Sequence, residues 1–147
     1  MATVELSFSA LPVHVRTARL IVTAVARRSG VAEALLDEVR LAVGEACSRA
    51  VEAHRRRCPD EPVRLELSGT GRRFEVIVSD AVPADDETGG LPQVEKPDEA
   101  MEQVWSDETA ELGLAVIAGL ADDVDISSTP KGVQIRMSWP AEVEIPQ

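Results

Sequence analysis

The succession of apolar patterns predicts an α+β fold: a single-layer mixed or antiparallel sheet with helices on one face. Three observations carry that expectation. Stretches of period two and stretches of period near 3.6 follow one another as β-α-α-β-β, an interrupted acidic segment, then α-β-β. The 147 residues, 44% of them hydrophobic, suit one compact domain over 1–147 and leave little room for two. Aromatic residues make up only 3%, so a core must be assembled from Val, Leu, Ile and Ala.

The elements follow in order. Val4-Glu5-Leu6-Ser7-Phe8 alternates apolar and polar side chains, as a half-buried strand does. Leu11-Pro12 opens a helix, proline being tolerated in a first turn. Leu11, Val15, Ala18, Val22 and Val25 recur at steps of three and four and predict its buried face, and Gly30 ends it. A second helix is predicted from about Ala32 to Arg57, with Leu36, Val39, Val43, Ala46 and Ala50 as its apolar stripe. Cys58-Pro59-Asp60-Glu61-Pro62 breaks it. Val63–Leu67 and Phe74–Val78 read as strands, with Ser68-Gly69-Thr70-Gly71 as the hairpin turn between them. Leu114 to Ala121 reads as a buried helix. Val124–Ser127 and Val133–Met137 are the last strands, joined at Pro130-Lys131-Gly132.

Between Ala81 and Glu111 the pattern dissolves. Ten acids stand there against one base, Lys96, and prolines and glycines interrupt any period. This predicts a long acidic, lid-like loop at about 81–110, with a short helix near Asp98–Val104. The ordinary role of such a segment is solvated surface.

Charge and composition exclude several classes. With 26 acidic and 15 basic residues the net charge is −11, which argues against direct nucleic-acid binding. No apolar run approaches the ~20 residues that span a bilayer. The first residues lack the basic flank and apolar core of a secretory signal, so a cytoplasmic, non-membrane protein is expected. Cys47 and Cys58 are too few for a disulfide framework or a zinc site, and Cys47 reads as small core filler. One local contrast stands out. Arg16, Arg19, Thr23 and Arg27 form a basic ridge on the first helix, either a solvated face or a partner contact.

The ordered set Leu6–Leu11, Ala18-Arg19, Glu38–His54, Asp80, Glu111–Asp125 and Ser127–Pro130 resembles the bacterial anti-sigma-factor serine kinases. These are sporulation and general-stress regulators of the Bergerat-type ATPase superfamily shared with histidine kinases and gyrase. The likeness runs from about Val4 to Ser138 and implies that fold. It also implies roles for particular residues. Glu45 falls on the helix glutamate that acts as general base. Asp80 falls on the aspartate that reads the adenine amino group. Gly113 falls on the phosphate loop and Gly132 on the adenine pocket. Arg19, with Arg16 beside it, falls where the family meets its sigma factor.

The departures are chemical. Arg49 stands where the family has a magnesium-binding asparagine, and a guanidinium offers only donors where a metal needs an oxygen. Direct contact with a phosphate is the one nucleotide role left to it. Val82 and Ala84 replace two glycines, and Val133 replaces a pocket threonine. Glu111 replaces the first glycine of the phosphate loop. A carboxylate ~4 Å from a phosphate at an effective dielectric of ~20 costs roughly 4 kcal/mol. Glu45 and Arg49 also have a plainer reading, as an i,i+4 surface ion pair worth about 0.2–0.5 kcal/mol. Asp80 likewise has one, as a strand-ending turn residue.

The resemblance thus implies a regulator of the partner-switching kind, binding a sigma factor, a STAS-domain anti-anti-sigma protein, or both. A homodimer through the first strand and helix is expected on the same ground. No metal is expected and no cofactor. The alternative is an active serine/threonine kinase using ATP and magnesium to phosphorylate the STAS partner.

Overall fold

The computed structural model describes residues 3–82 and 114–141. Strand β1 (Thr3–Phe8) leads into helices α1 (Pro12–Arg28) and α2 (Glu33–Arg57), then strands β2 (Val63–Thr70) and β3 (Arg73–Ser79). A helix over 114–120, α3, precedes β4 (Asp123–Thr129) and β5 (Gly132–Pro140). The five strands form one sheet in the order β1-β2-β3-β5-β4, with every pairing antiparallel. The expected α+β architecture is therefore present, with its sheet antiparallel rather than mixed. Glu111, Gly113, Ala84, the acidic loop and the helix expected near Asp98–Val104 lie outside the described residues.

Alternation decides which sheet face meets the helices. Val63, Leu65 and Leu67 on β2, Phe74, Val76 and Val78 on β3, and Ile135, Met137 and Trp139 on β5 are all buried. Against them α2 lays its stripe of Leu36, Val39, Val43, Ala46, Cys47 and Ala50. Each such Val or Leu removed from water contributes about 1.5–3 kcal/mol. The other face is polar and cross-braced: Arg136 pairs with Glu75 at 3.0 Å and Asp125 at 3.7 Å, and Arg73 pairs with Asp122 at 2.8 Å. The helices carry Arg27 and Arg28, and Arg55 to Arg57, in their last turns, where cations offset the macrodipole.

Three local expectations are corrected. The β2–β3 turn is the two-residue pair Gly71-Arg72, with Thr70 facing Arg73, and Ser68-Gly69-Thr70 continue the strand. Both turn residues have positive φ, 60° and 64°, the twist that a tight hairpin requires. Leu11 is 48% exposed rather than buried, because it lies ahead of the first helical turn. Helix α3 buries only Ile117; Ala115, Val116, Ala118 and Gly119 are exposed. Its end is held by the Trp139 indole, which donates to the Leu120 carbonyl at 3.0 Å. No described helix is long and apolar enough to cross a membrane.

Candidate functional site

Asp80 and Gly132, 52 positions apart in sequence, are brought into contact where β3 ends beside the start of β5. The Asp80 N–H donates to the Val133 carbonyl at 3.0 Å. Its carboxylate Oδ1 accepts from the N–H groups of Val133 at 3.1 Å and Val82 at 2.9 Å. Gly132 has φ +151°, and a Cβ there would fall inside the Asp80 backbone carbonyl. Only glycine lets the two strand ends approach this closely. Asp80 therefore both turns the chain and anchors β5, and its plainer structural role is realised in full.

Helix α2 carries Glu45 and Arg49, both half-buried. The four-residue spacing invites an ion pair, yet no carboxylate–guanidinium contact within 4.0 Å joins them among the described residues. The Arg49 Nε is instead buried without a hydrogen-bond partner. A buried, unbonded guanidinium nitrogen is costly, about 1–3 kcal/mol or more for a charged group. Magnesium does not fit this helix face, because Arg49 supplies no oxygen to it and adds a fixed positive charge. No group of three or more His, Cys, Asp or Glu that could hold a metal occurs among the described residues.

A cleft of about 570 Å³ lies on the polar side of the sheet, its lining including Glu5, Arg64, Glu66, Gln134, Lys131 and Asp80. Glu45 and Arg49 do not line it. Asp80 thus lines this cleft just past the end of β3, and the next residue, Ala81, bonds to His54 of α2.

On α1 the ridge expected from spacing divides. Arg16 is exposed, whereas Arg27 is taken up by Glu33 at 3.0 Å. Thr23 turns its hydroxyl onto the Arg19 carbonyl at 2.7 Å. Arg19 is half-buried, its stem laid across α2 at Gly44; a Cβ on that glycine would stand 2.6 Å from Arg19 Cδ. The Arg19 Nε has no partner. The same two helices carry exposed apolar side chains, Val13 at 66%, Leu20 at 59% and Leu41 at 50%. Helix α1 contains four arginines and no acid on a chain of net charge −11.

Two residues escaped the sequence reading. Gly44 had a signal: a glycine inside a long helix costs about 1 kcal/mol relative to alanine and marks a close contact. His54 had one too, since it continues the apolar stripe of Val43, Cys47 and Ala50 at three- and four-residue steps. It is wholly buried, with Nδ1 2.7 Å from the Glu61 carbonyl and Nε2 2.8 Å from the Ala81 N–H. Cys47 is buried as expected, and desolvation pushes its thiol up to about 12, with Arg19 opposing. Cys58 is raised by burial and by the charges of Glu61 and Asp80, with Arg57 opposing.

A family model described as the histidine kinase-like ATPase domain matches residues 8–139. Among solved structures, the chain is similar to the RsbU and RsbW domains of Rv1364c from Mycobacterium tuberculosis. The identity is 14% and the TM-score 0.64, with 96% of this chain and 33% of that one covered. That likeness shows a shared fold, and the chain spans about a third of the protein it matches. Comparison with curated proteins finds no match.

Proposed function

From the premise that the chain belongs to the histidine kinase-like ATPase domain family, we propose that it is a regulatory binding protein of the partner-switching kind. It captures a sigma factor, a STAS-domain anti-anti-sigma protein, or both, and does so without turning over ATP. The observation that carries this reading is Arg49. By the family resemblance it falls at the position of a magnesium-binding asparagine; it has no oxygen to offer, and it forms no compensating pair with Glu45. A triphosphate escorted by magnesium needs an oxygen ligand at that position, and a guanidinium does not supply one.

Binding then rests on the exterior. The α1–α2 surface supplies Arg16 and Arg19 with Val13, Leu20 and Leu41, the mixture of arginine and exposed aliphatic groups that protein interfaces favour. The similarity to a polypeptide that carries RsbU and RsbW domains supports a switching context.

The retained corner of Asp80 and Gly132 favours a second reading, an ATP-dependent kinase of the STAS partner with Glu45 as base. Calorimetry with ATP and magnesium at millimolar concentration separates the two. A featureless titration is expected; micromolar affinity overturns the first reading and supports the kinase. Co-purification from the native cell identifies the partner, and a sigma factor or STAS-domain protein is expected. Arg19→Glu should then weaken capture at least about tenfold while the domain stays folded. Unchanged affinity would remove α1 from the interface.

A further inference from the structure

We infer that His54 is an acid-released latch that holds the Asp80–Val82 run against the end of α2. The inference stands apart from the nucleotide and partner readings, since it rests on one buried ring and its two bonds.

Three segments meet at that imidazole. His54 belongs to the last turn of α2, Glu61 to the loop after it, and Ala81 to the chain leaving β3. A carbonyl can only accept, so Nδ1 carries the proton and donates to Glu61; a backbone N–H can only donate, so Nε2 is bare and accepts from Ala81. The bonded form is therefore the neutral Nδ1–H tautomer.

The three successive N–H groups of the run are all held. Asp80 donates to the Val133 carbonyl, Ala81 to His54, and Val82 to the Asp80 carboxylate. Of these holds, only the middle one can be cancelled by a proton in the range where histidines ordinarily titrate, about pH 5 to 8. Protonation at Nε2 sets two donors face to face at 2.8 Å, and the Ala81 N–H loses its acceptor inside the protein. The run must then shift, taking the Asp80 carboxylate with it.

The ionisable groups on the surrounding elements include Arg55, Arg56, Arg57 and Cys58 at the helix end, Asp60 and Glu61 in the loop and Asp80 on the run itself; Glu61, Asp80 and Arg57 all act on the Cys58 thiol.

Nitrogen-15 and carbon-13 NMR of the full chain tests this. Ring spectra at neutral pH should show the Nδ1–H tautomer. On acidification the protection factor of the Ala81 amide should fall about tenfold in step with the His54 ring shift. The titration of His14, the other histidine, should leave it unmoved. His54→Gln presents an amide oxygen and nitrogen at similar spacing without a titrating proton, so Ala81 protection in that variant should stay flat. An Nε2–H tautomer overturns the inference. So does a His54 that titrates while Ala81 stays protected, or one that stays neutral until the whole domain unfolds. A pH step surviving in His54→Gln would assign the effect to another group. The wild-type titration decides the matter even if that variant does not fold.

Discussion

Replacing Gly132 with alanine isolates the contact on which the candidate site is built. Two costs add. The φ of +151° lies in a region that L side chains rarely adopt, worth about 1–3 kcal/mol in strain. The new Cβ also meets the Asp80 backbone rather than a movable side-chain end, so the strands must part there. Parting them breaks the Asp80-to-Val133 bond and the Val133-to-carboxylate bond, together worth about 2–4 kcal/mol because one acceptor is charged. The sum is about 3–7 kcal/mol, a large share of the ~5–15 kcal/mol expected for a single domain. Two other glycines calibrate it. Gly71→Ala faces open space at φ +60° and should cost about 1 kcal/mol. Gly119→Ala faces open space in a helix and should stabilise by up to ~1 kcal/mol. Urea unfolding monitored by Trp fluorescence gives all three. A Gly132→Ala cost below about 1 kcal/mol, or no larger than that of Gly71→Ala, would refute the close approach of β3 and β5.

Further outcomes follow from individual contacts. Trp139→Phe removes the indole bond to Leu120 and should destabilise the domain by about 1–3 kcal/mol in urea, with hydrogen exchange rising first in α3. Gly44→Ala should leave stability within about 1 kcal/mol, because helix propensity improves while the Arg19 stem, whose Nε bonds nothing, swings away; a loss above about 3 kcal/mol would show that the stem is fixed. The Cys47 thiol is raised on folding from 9.0 to about 12, so its contribution to stability is complete below pH 9 and is lost as pH rises toward 12. Cys47→Ala should flatten that alkaline decline in thermal melts. At pH 8 a thiol reagent should label Cys58 and spare Cys47 in the folded protein, and Asp80→Asn should speed the Cys58 reaction by removing a charge that raises its thiol.

Periodic burial was the most readable feature of the sequence. The α2 stripe of Leu36, Val39, Val43, Ala46 and Ala50 is buried throughout, and the inward residues of β2 and β3 alternate as written. The β2–β3 turn was misplaced because two glycines, Gly69 and Gly71, bracket it and only strand register chooses between them; Phe74 facing Gly69 makes that choice. Leu114–Ala121 read as buried because it is continuously apolar, and a run without polar punctuation does not reveal which side of a helix is covered. At the site, Asp80 and Gly132 were nameable one by one, but their contact depends on β5 inserting beside β3, a pairing between strands far apart in sequence. The burial of His54 had a signal in the α2 stripe, but its bonds had none, for a related reason. Its partners are the carbonyl of Glu61 and the N–H of Ala81, and a backbone group carries no residue-type signal.

The Asp80–Gly132 corner and Arg49 are supported in different ways, and this decides how much each says about nucleotide chemistry. Asp80 and Gly132 are locked by backbone geometry. The carboxylate satisfies two N–H groups, and the glycine permits the strand approach, so substitution at either is penalised by folding whatever binds nearby. Arg49 has no such duty. It lies on a helix face where its buried Nε bonds nothing, and Glu45 does not pair with it, so no hydrogen bond through Nε and no ion pair with Glu45 ties the fold to arginine at this position. Retention of the Asp80 corner is therefore weak evidence for nucleotide chemistry, because stability alone demands it. On the binding-protein reading proposed above, the informative position is therefore Arg49, where the side chain is a cation without an oxygen.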